Sequence, residues 1–162
     1  MQLKTILNRV YKNQCFVYTT IELKEDKDKL ILEVMIQPRR NSRPVCSGCG
    51  KRRPGYDTQS PRRFEFIPFW GILVYFVYSM RRVHCPDCGV KVESVPWADG
   101  KRPVTTAYVW FLSSWAKRLC WAQVAEAFRT SWHTVYCSVE QAVQCGLAHR
   151  DLDGITAIGV DE

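Results

Sequence analysis

Two segments near the start of the chain alternate apolar and polar residues. CFVYTTIEL (residues 15–23) and KLILEVMIQP (residues 29–38) share this period of two, and the charged EDKDK stretch between them suits a hairpin turn. A short helical pattern, Leu3 to Val10, precedes them. From Pro38 to Gly55 the chain turns to Arg, Pro, Ser, Gly and Cys, which is loop chemistry. RRFEFI and ILVYFVYSMRRVHC then flank Pro68-Phe69-Trp70-Gly71 and predict a second hairpin, rich in aromatic and β-branched residues. Beyond Trp97 the period becomes helical. Tyr108, Phe111, Leu112, Trp115, Ala116 and Leu119 recur every three or four residues, with Thr105 or Thr106 as N-cap. Val124, Ala125 and Phe128 continue the apolar face. A third segment, Ser131 to Gly146, sets Val135, Val139, Ala142 and Val143 on one side, with Gly146 placed to stop it. ITAIGVDE (residues 155–162) reads as a buried strand ending in two carboxylates, with no sheet at hand to join, and is expected to be poorly ordered. Strands first and helices later make the expected class α+β.

Length and composition keep this picture within ordinary bounds. The chain has 162 residues, 46% of them apolar and 24% charged, which fits a folded protein of one medium or two small domains. The N-terminus has no apolar core or cleavage site of a secretory signal. The most apolar stretch, Phe64 to Tyr78, is shorter than a spanning helix and is broken by Glu65, Pro68 and Gly71. A cytoplasmic location with reduced cysteines and no membrane partner is therefore expected.

The net charge of +7 is concentrated. Residues 39–102 hold 13 Lys and Arg against 5 Asp and Glu, while the rest of the chain is close to neutral. Lys51, Arg52 and Arg53 form a triplet, and Arg39-Arg40, Arg62-Arg63 and Arg81-Arg82 form pairs. Such clustering is either a solvated surface or a face for phosphates, where basic side chains bind by displacing counterions.

Eight cysteines change the reading more sharply. Cys46-Ser-Gly-Cys49-Gly50 and Cys85-Pro-Asp-Cys88-Gly89 are two C-x-x-C-G units with 35 residues between them. Two intervening residues let both sulfurs of a unit face one ion, and the following glycine takes the turn whose N–H groups face the sulfurs. Four thiolates match structural Zn²⁺ and leave no open position for catalysis. Disulfides compete with this reading and are disfavoured in a reducing compartment. His84 is not needed as a ligand, and Cys15, Cys120, Cys137 and Cys145 are expected to be small packing residues.

The stretch Trp121 to Ser138 has the layout of a helix-turn-helix. Ala125 is small where two helices approach, Arg129-Thr130-Ser131 makes the turn, and Ser131 caps the second helix. Arg129 stands where such turns often carry glycine. In that motif the second helix enters the major groove, so Arg129, Ser131, Trp132, His133, Thr134, Tyr136 and Cys137 are the candidate DNA contacts. Lys51, Arg52, Arg53, Arg62, Arg63, Arg81 and Arg82 are the candidate phosphate contacts. Trp110, Trp115 and Trp121 are expected in the core.

The order of parts resembles the N-terminal half of the ISL-three family of bacterial insertion-sequence transposases. It runs from C-x-x-C-G through a basic hairpin with PFWG, RRVHCPDCG and SWHTVYCSV to RDLDGITAIGVDE, covering about Val45 to Glu162. The resemblance implies binding to double-stranded DNA at the element's terminal inverted repeats, with DNA transposition as the process. It also implies that GVDE opens a ribonuclease-H-like domain, in which Asp161 is the first carboxylate of an Asp-Asp-Glu triad holding Mg²⁺ in an intact family member. The other two carboxylates have no counterpart in this chain, so the expectation is a catalytically incomplete transposase portion. Four segments are expected: a strand hairpin (1–38), a β-rich zinc lobe (39–100), an all-α helix-turn-helix lobe (101–150) and the start of the catalytic domain (151–162). Homo-oligomerisation is left open. The competing reading is a free-standing zinc-dependent helix-turn-helix regulator; a zinc protein binding RNA non-specifically fits the helical spacing less well.

Overall fold

A computed structural model describes residues 3–26, 29–150 and 153, with a mixed α+β architecture. The chain divides into two units, residues 1–111 and 112–162.

The first unit is built on one five-stranded sheet. Helix α1 (Leu3–Val10) leads into β1 (Phe16–Asp26) and β2 (Lys29–Pro38), which pair antiparallel as the alternation predicts. The second hairpin, β3 (Gly55–Phe69) and β4 (Ile72–Cys85), turns at Trp70 and Gly71, both with positive φ (51° and 75°). That is a primed two-residue turn, whose twist matches its strands. β3 is longer than RRFEFI suggests, starting at Gly55. A short β5 (Gly89–Val92), which the sequence pattern does not signal, pairs with residues 82–85 of β4.

β4 is the spine of this sheet. It pairs antiparallel with β3, and its residues 73–77 run parallel to residues 31–35 of β2. The first hairpin therefore shares its sheet with the strands of the zinc lobe. One face carries the core: Tyr18, Val34, Ile36, Phe64, Phe76 and Tyr78 are buried together with Leu7 of α1. Trp97 closes it, with edge-on contacts to Phe16 (4.8 Å between ring centres), Tyr78 (5.2 Å) and Phe64 (6.3 Å).

Helix α2 (Thr106–Trp115) crosses the division between the units. Its entry is fixed by Thr105, which is fully buried; its Oγ1 donates to Glu65 O and accepts from Tyr108 N. The helix ends at Trp115, not at Leu119 as the periodicity suggests, and turns fill residues 116–119. In the second unit, α3 (Trp121–Ala127) and α4 (Trp132–Ala148) follow. Gln123 Oε1 reaches back to the Cys120 N–H, and Ser131 Oγ accepts from Thr134 N at 3.0 Å. Val124, Ala125 and Val135 are buried between α3 and α4.

Three expectations for the helices are corrected. Gly146 does not stop α4, which runs through it to Ala148, because one helical glycine weakens a helix by only about 1 kcal/mol. Val143 is 51% exposed instead of lying on the core face, since α3 is only seven residues long and spans less of α4 than the apolar pattern does. Trp110 and Trp115 are also exposed rather than core residues, and Trp121 is half-buried. The strand expected at residues 155–160, and Asp161 with it, lie outside the described residues. No described helix is long and apolar enough to cross a membrane.

Candidate metal centre and nucleic-acid interface

The two C-x-x-C units meet although 35 residues separate them, because β3 and β4 fold that intervening chain into a hairpin. The first unit is held in a tight loop by Cys46 N to Lys51 O and Gly50 N to Cys46 O, each 2.9 Å. The second follows directly from the end of β4 and turns into β5. Bridging of Cys46 to Glu93, just after β5, ties the two together.

The four sulfurs of Cys46, Cys49, Cys85 and Cys88 all lie within 4.8 Å of one another, and those of Cys49 and Cys85 are 3.6 Å apart. A tetrahedral zinc–thiolate site with Zn–S of about 2.3 Å has sulfur–sulfur edges of about 3.8 Å. The cluster fits that shape. Gly50 and Gly89, each following the second cysteine of its unit, have φ of +70° and +73°, a conformation that L side chains rarely adopt. Gly48 is required for another reason: a Cβ there would stand 2.9 Å from the Cys88 sulfur.

The surroundings act on the two thiols of the second unit in opposite directions. Burial raises the Cys85 thiol, but the N–H groups of Asp87 and Cys88, with the Cys49 and Cys46 thiols, outweigh it and bring it below the usual range. Burial and the three neighbouring sulfurs push the Cys88 thiol upward. A dication at the centre removes this conflict, because metal binding displaces the thiol protons. None of the eight cysteines is in a disulfide. His84 is exposed and outside the cluster. Cys120, expected to pack, is exposed, and Cys137 and Cys145 are half-buried beside His133 and His149 at 3.5 Å and 3.7 Å.

The basic residues singled out from sequence differ in their surroundings, and several are engaged by carboxylates. Arg81 turns inward. Its guanidinium grips Glu93, whose side chain is fully buried and also accepts the Tyr78 hydroxyl at 2.6 Å. Arg82 pairs with Asp57, and Arg63 pairs with the buried carboxylate of Glu33. Arg62 donates to Lys101 O at 2.9 Å and lies over the Phe64 ring. Arg53 pairs with Asp87 at 2.6 Å, and Lys51 stands 3.6 Å from the same carboxylate. Arg52 is exposed, as are Arg39, Arg40 and Arg43, which the sequence reading did not select.

In the second unit, Arg129 sits in the turn between α3 and α4 with φ +53°, taking the left-handed conformation that glycine usually fills. At the start of α4, Trp132, His133 and Tyr136 are exposed, and the rings of Trp132 and Tyr136 lie nearly parallel at 5.6 Å. Trp121 completes the group at 5.7 Å from Trp132 and 5.8 Å from Tyr136. Ser131 and Thr134 are occupied with each other in the cap.

A β-sheet hairpin whose ends close on four clustered cysteines defines a zinc-ribbon protein. Residues 42–88 match the family described as the zinc-finger of transposase IS204/IS1001/IS1096/IS1165. The chain is also 30% identical over 126 residues to the transposase for insertion sequence element IS1557 of Mycobacterium tuberculosis, in strains CDC 1551 / Oshkosh and ATCC 25618 / H37Rv. That match covers 74% of this chain and 28% of each relative, so the chain spans under a third of the length of these curated relatives. No solved structure matches it significantly. The resemblance read from the motifs is supported by both comparisons: residues 42–88 carry a transposase-type zinc finger, and 74% of the chain is similar to part of an insertion-sequence transposase.

Proposed function

We propose that this chain is the DNA-binding portion of a transposase and recognises the terminal inverted repeats of its element. The observation that carries the reading is the four-cysteine cluster inside a transposase-type zinc finger, followed in the chain by a capped helix pair. In this reading zinc holds the ribbon (39–100) together, and α3 and α4 form a helix-turn-helix within residues 101–150. The exposed first turns of α4, with Trp132, His133 and Tyr136, meet base edges in the major groove. Ser131 and Thr134 set the start of that helix, and Arg129 points a cation toward the phosphates. Exposed basic residues led by Arg52 supply the salt-dependent share of affinity. Residues 151–162 open the catalytic domain, with Asp161 as the first carboxylate of a Mg²⁺-binding triad, and the protein works in the cytoplasm.

A salt-dependent titration of zinc-loaded protein tests this, comparing the element's terminal repeats with scrambled duplex of equal length. Tighter binding to the repeats, lost on chelation, is the expected result. Equal binding to both duplexes would overturn recognition of the repeats.

A further inference from the structure

We infer that Arg53 is an outer-sphere partner of the zinc–thiolate cluster, compensating its charge, and not a phosphate contact. Four thiolates around one Zn²⁺ carry a net charge of −2, which is costly where two of the sulfurs are buried. Arg53 is placed to offset it. Its side chain is only 21% exposed, its Nη2 is held by Asp87 inside the second knuckle, and its Nε is buried with no hydrogen-bond partner. In this proposal a zinc-bound thiolate of the adjoining cluster is the acceptor which that donor lacks.

The arrangement is built from both knuckles. Arg53 follows the first, and its backbone N–H is fixed to Pro44 O at 2.9 Å. Asp87 lies inside the second, between Cys85 and Cys88, and holds Nη2 of Arg53 at 2.6 Å. The carboxylate thus aims the guanidinium and links the two halves of the site, while Lys51 at 3.6 Å offsets the charge of Asp87. Arg52, next in sequence, shows the contrast: it is exposed and makes no ion pair among the described residues. Adjacent arginines of one triplet therefore have different tasks. Partners that orient metal ligands typically change metal affinity about 10–100-fold when removed.

The inference rests on the zinc reading, and its test separates the two. Zinc affinity of the full chain is measured by competition with a chromophoric chelator, and the thiolate-to-metal absorption is recorded after Co²⁺ substitution. Arg53→Met is expected to weaken zinc binding about 10–100-fold. Asp87→Asn should weaken it less, and Arg52→Met should leave it unchanged while lowering DNA affinity. Arg53→Lys keeps the charge but loses the fork, so it should fall between wild type and Arg53→Met, with a shifted Co²⁺ band. Wild-type zinc affinity in Arg53→Met would overturn the inference. If Arg53→Met does not fold, Arg53→Lys decides: unchanged affinity and band would count against it. A wild-type chain that takes up no zinc would instead sink the zinc reading itself.

Discussion

At the tip of the β3–β4 hairpin, Trp70 is 87% exposed and holds φ at +51°. Its indole meets the ring of its neighbour Phe69, at 4.3 Å between centres. Left-handed backbone costs a non-glycine residue about 1–2 kcal/mol, and asparagine followed by glycine is the favoured pair for this turn. Trp70→Asn, keeping Gly71, should therefore stabilise the first unit by about 0.5–1 kcal/mol, read as a higher denaturation midpoint at constant slope. A loss of stability would mean that the indole contributes more through Phe69 than the turn costs. The same scale explains the knuckles. The spacing C-x-x-C-G makes the metal chemistry legible from sequence because each requirement is local: two sulfurs, one tight loop and one residue with positive φ.

Elements are joined by interactions that sequence patterns do not reveal. Glu33 on β2 is the clearest case. Its carboxylate is 5% exposed and is held by Lys24 of β1 at 2.5 Å and by Arg63 of β3. The hydrogen bond from Lys24 is the main cause that holds its pKa below the ordinary carboxylate value, with Arg63 adding to it against burial. A depressed folded-state pKa contributes stability above the unfolded-state value, and that contribution is lost as pH falls through the folded one. The stability difference between wild type and Glu33→Gln should thus be constant above about pH 5 and shrink on acidification. Because both proteins share the same cysteines, the difference isolates the carboxylate from acid-induced metal release. A difference independent of pH down to 3 would show that the pairing does not perturb Glu33.

For the molecule as a whole, the separation of sequence reading from phosphate binding is the testable consequence. His133 lies on the exposed first turn of α4, whereas Arg52 lies in the ribbon. His133→Ala is expected to reduce discrimination between specific and scrambled duplex by about 1–3 kcal/mol, the value of one base contact. Arg52→Ala should weaken both duplexes alike and reduce the slope of log affinity against log salt by about 1. Unaltered preference in His133→Ala would count against the proposed contact of this turn with base edges. The charge of +7 alone could not rank the arginines, because the carboxylates that engage Arg53, Arg63, Arg81 and Arg82 are distant in sequence or lie on other strands.

The sequence by itself determined the period-two strands, the turn at Trp70 and Gly71, the cap at Ser131, the cap at Thr105 as one of two candidates, the four-cysteine set and the transposase resemblance. These depend on residues close together along the chain or on motifs read in order, so no long-range information is needed. Tertiary structure alone decided that β2 lies parallel to β4, that β5 forms, and that the first hairpin shares a sheet with the ribbon. It also decided that Arg81 is bound to a buried Glu93 and that Trp110 and Trp115 are exposed. Each of these depends on which distant segment covers a given face. An apolar period says that a face can be buried; only the partner that reaches it says whether it is.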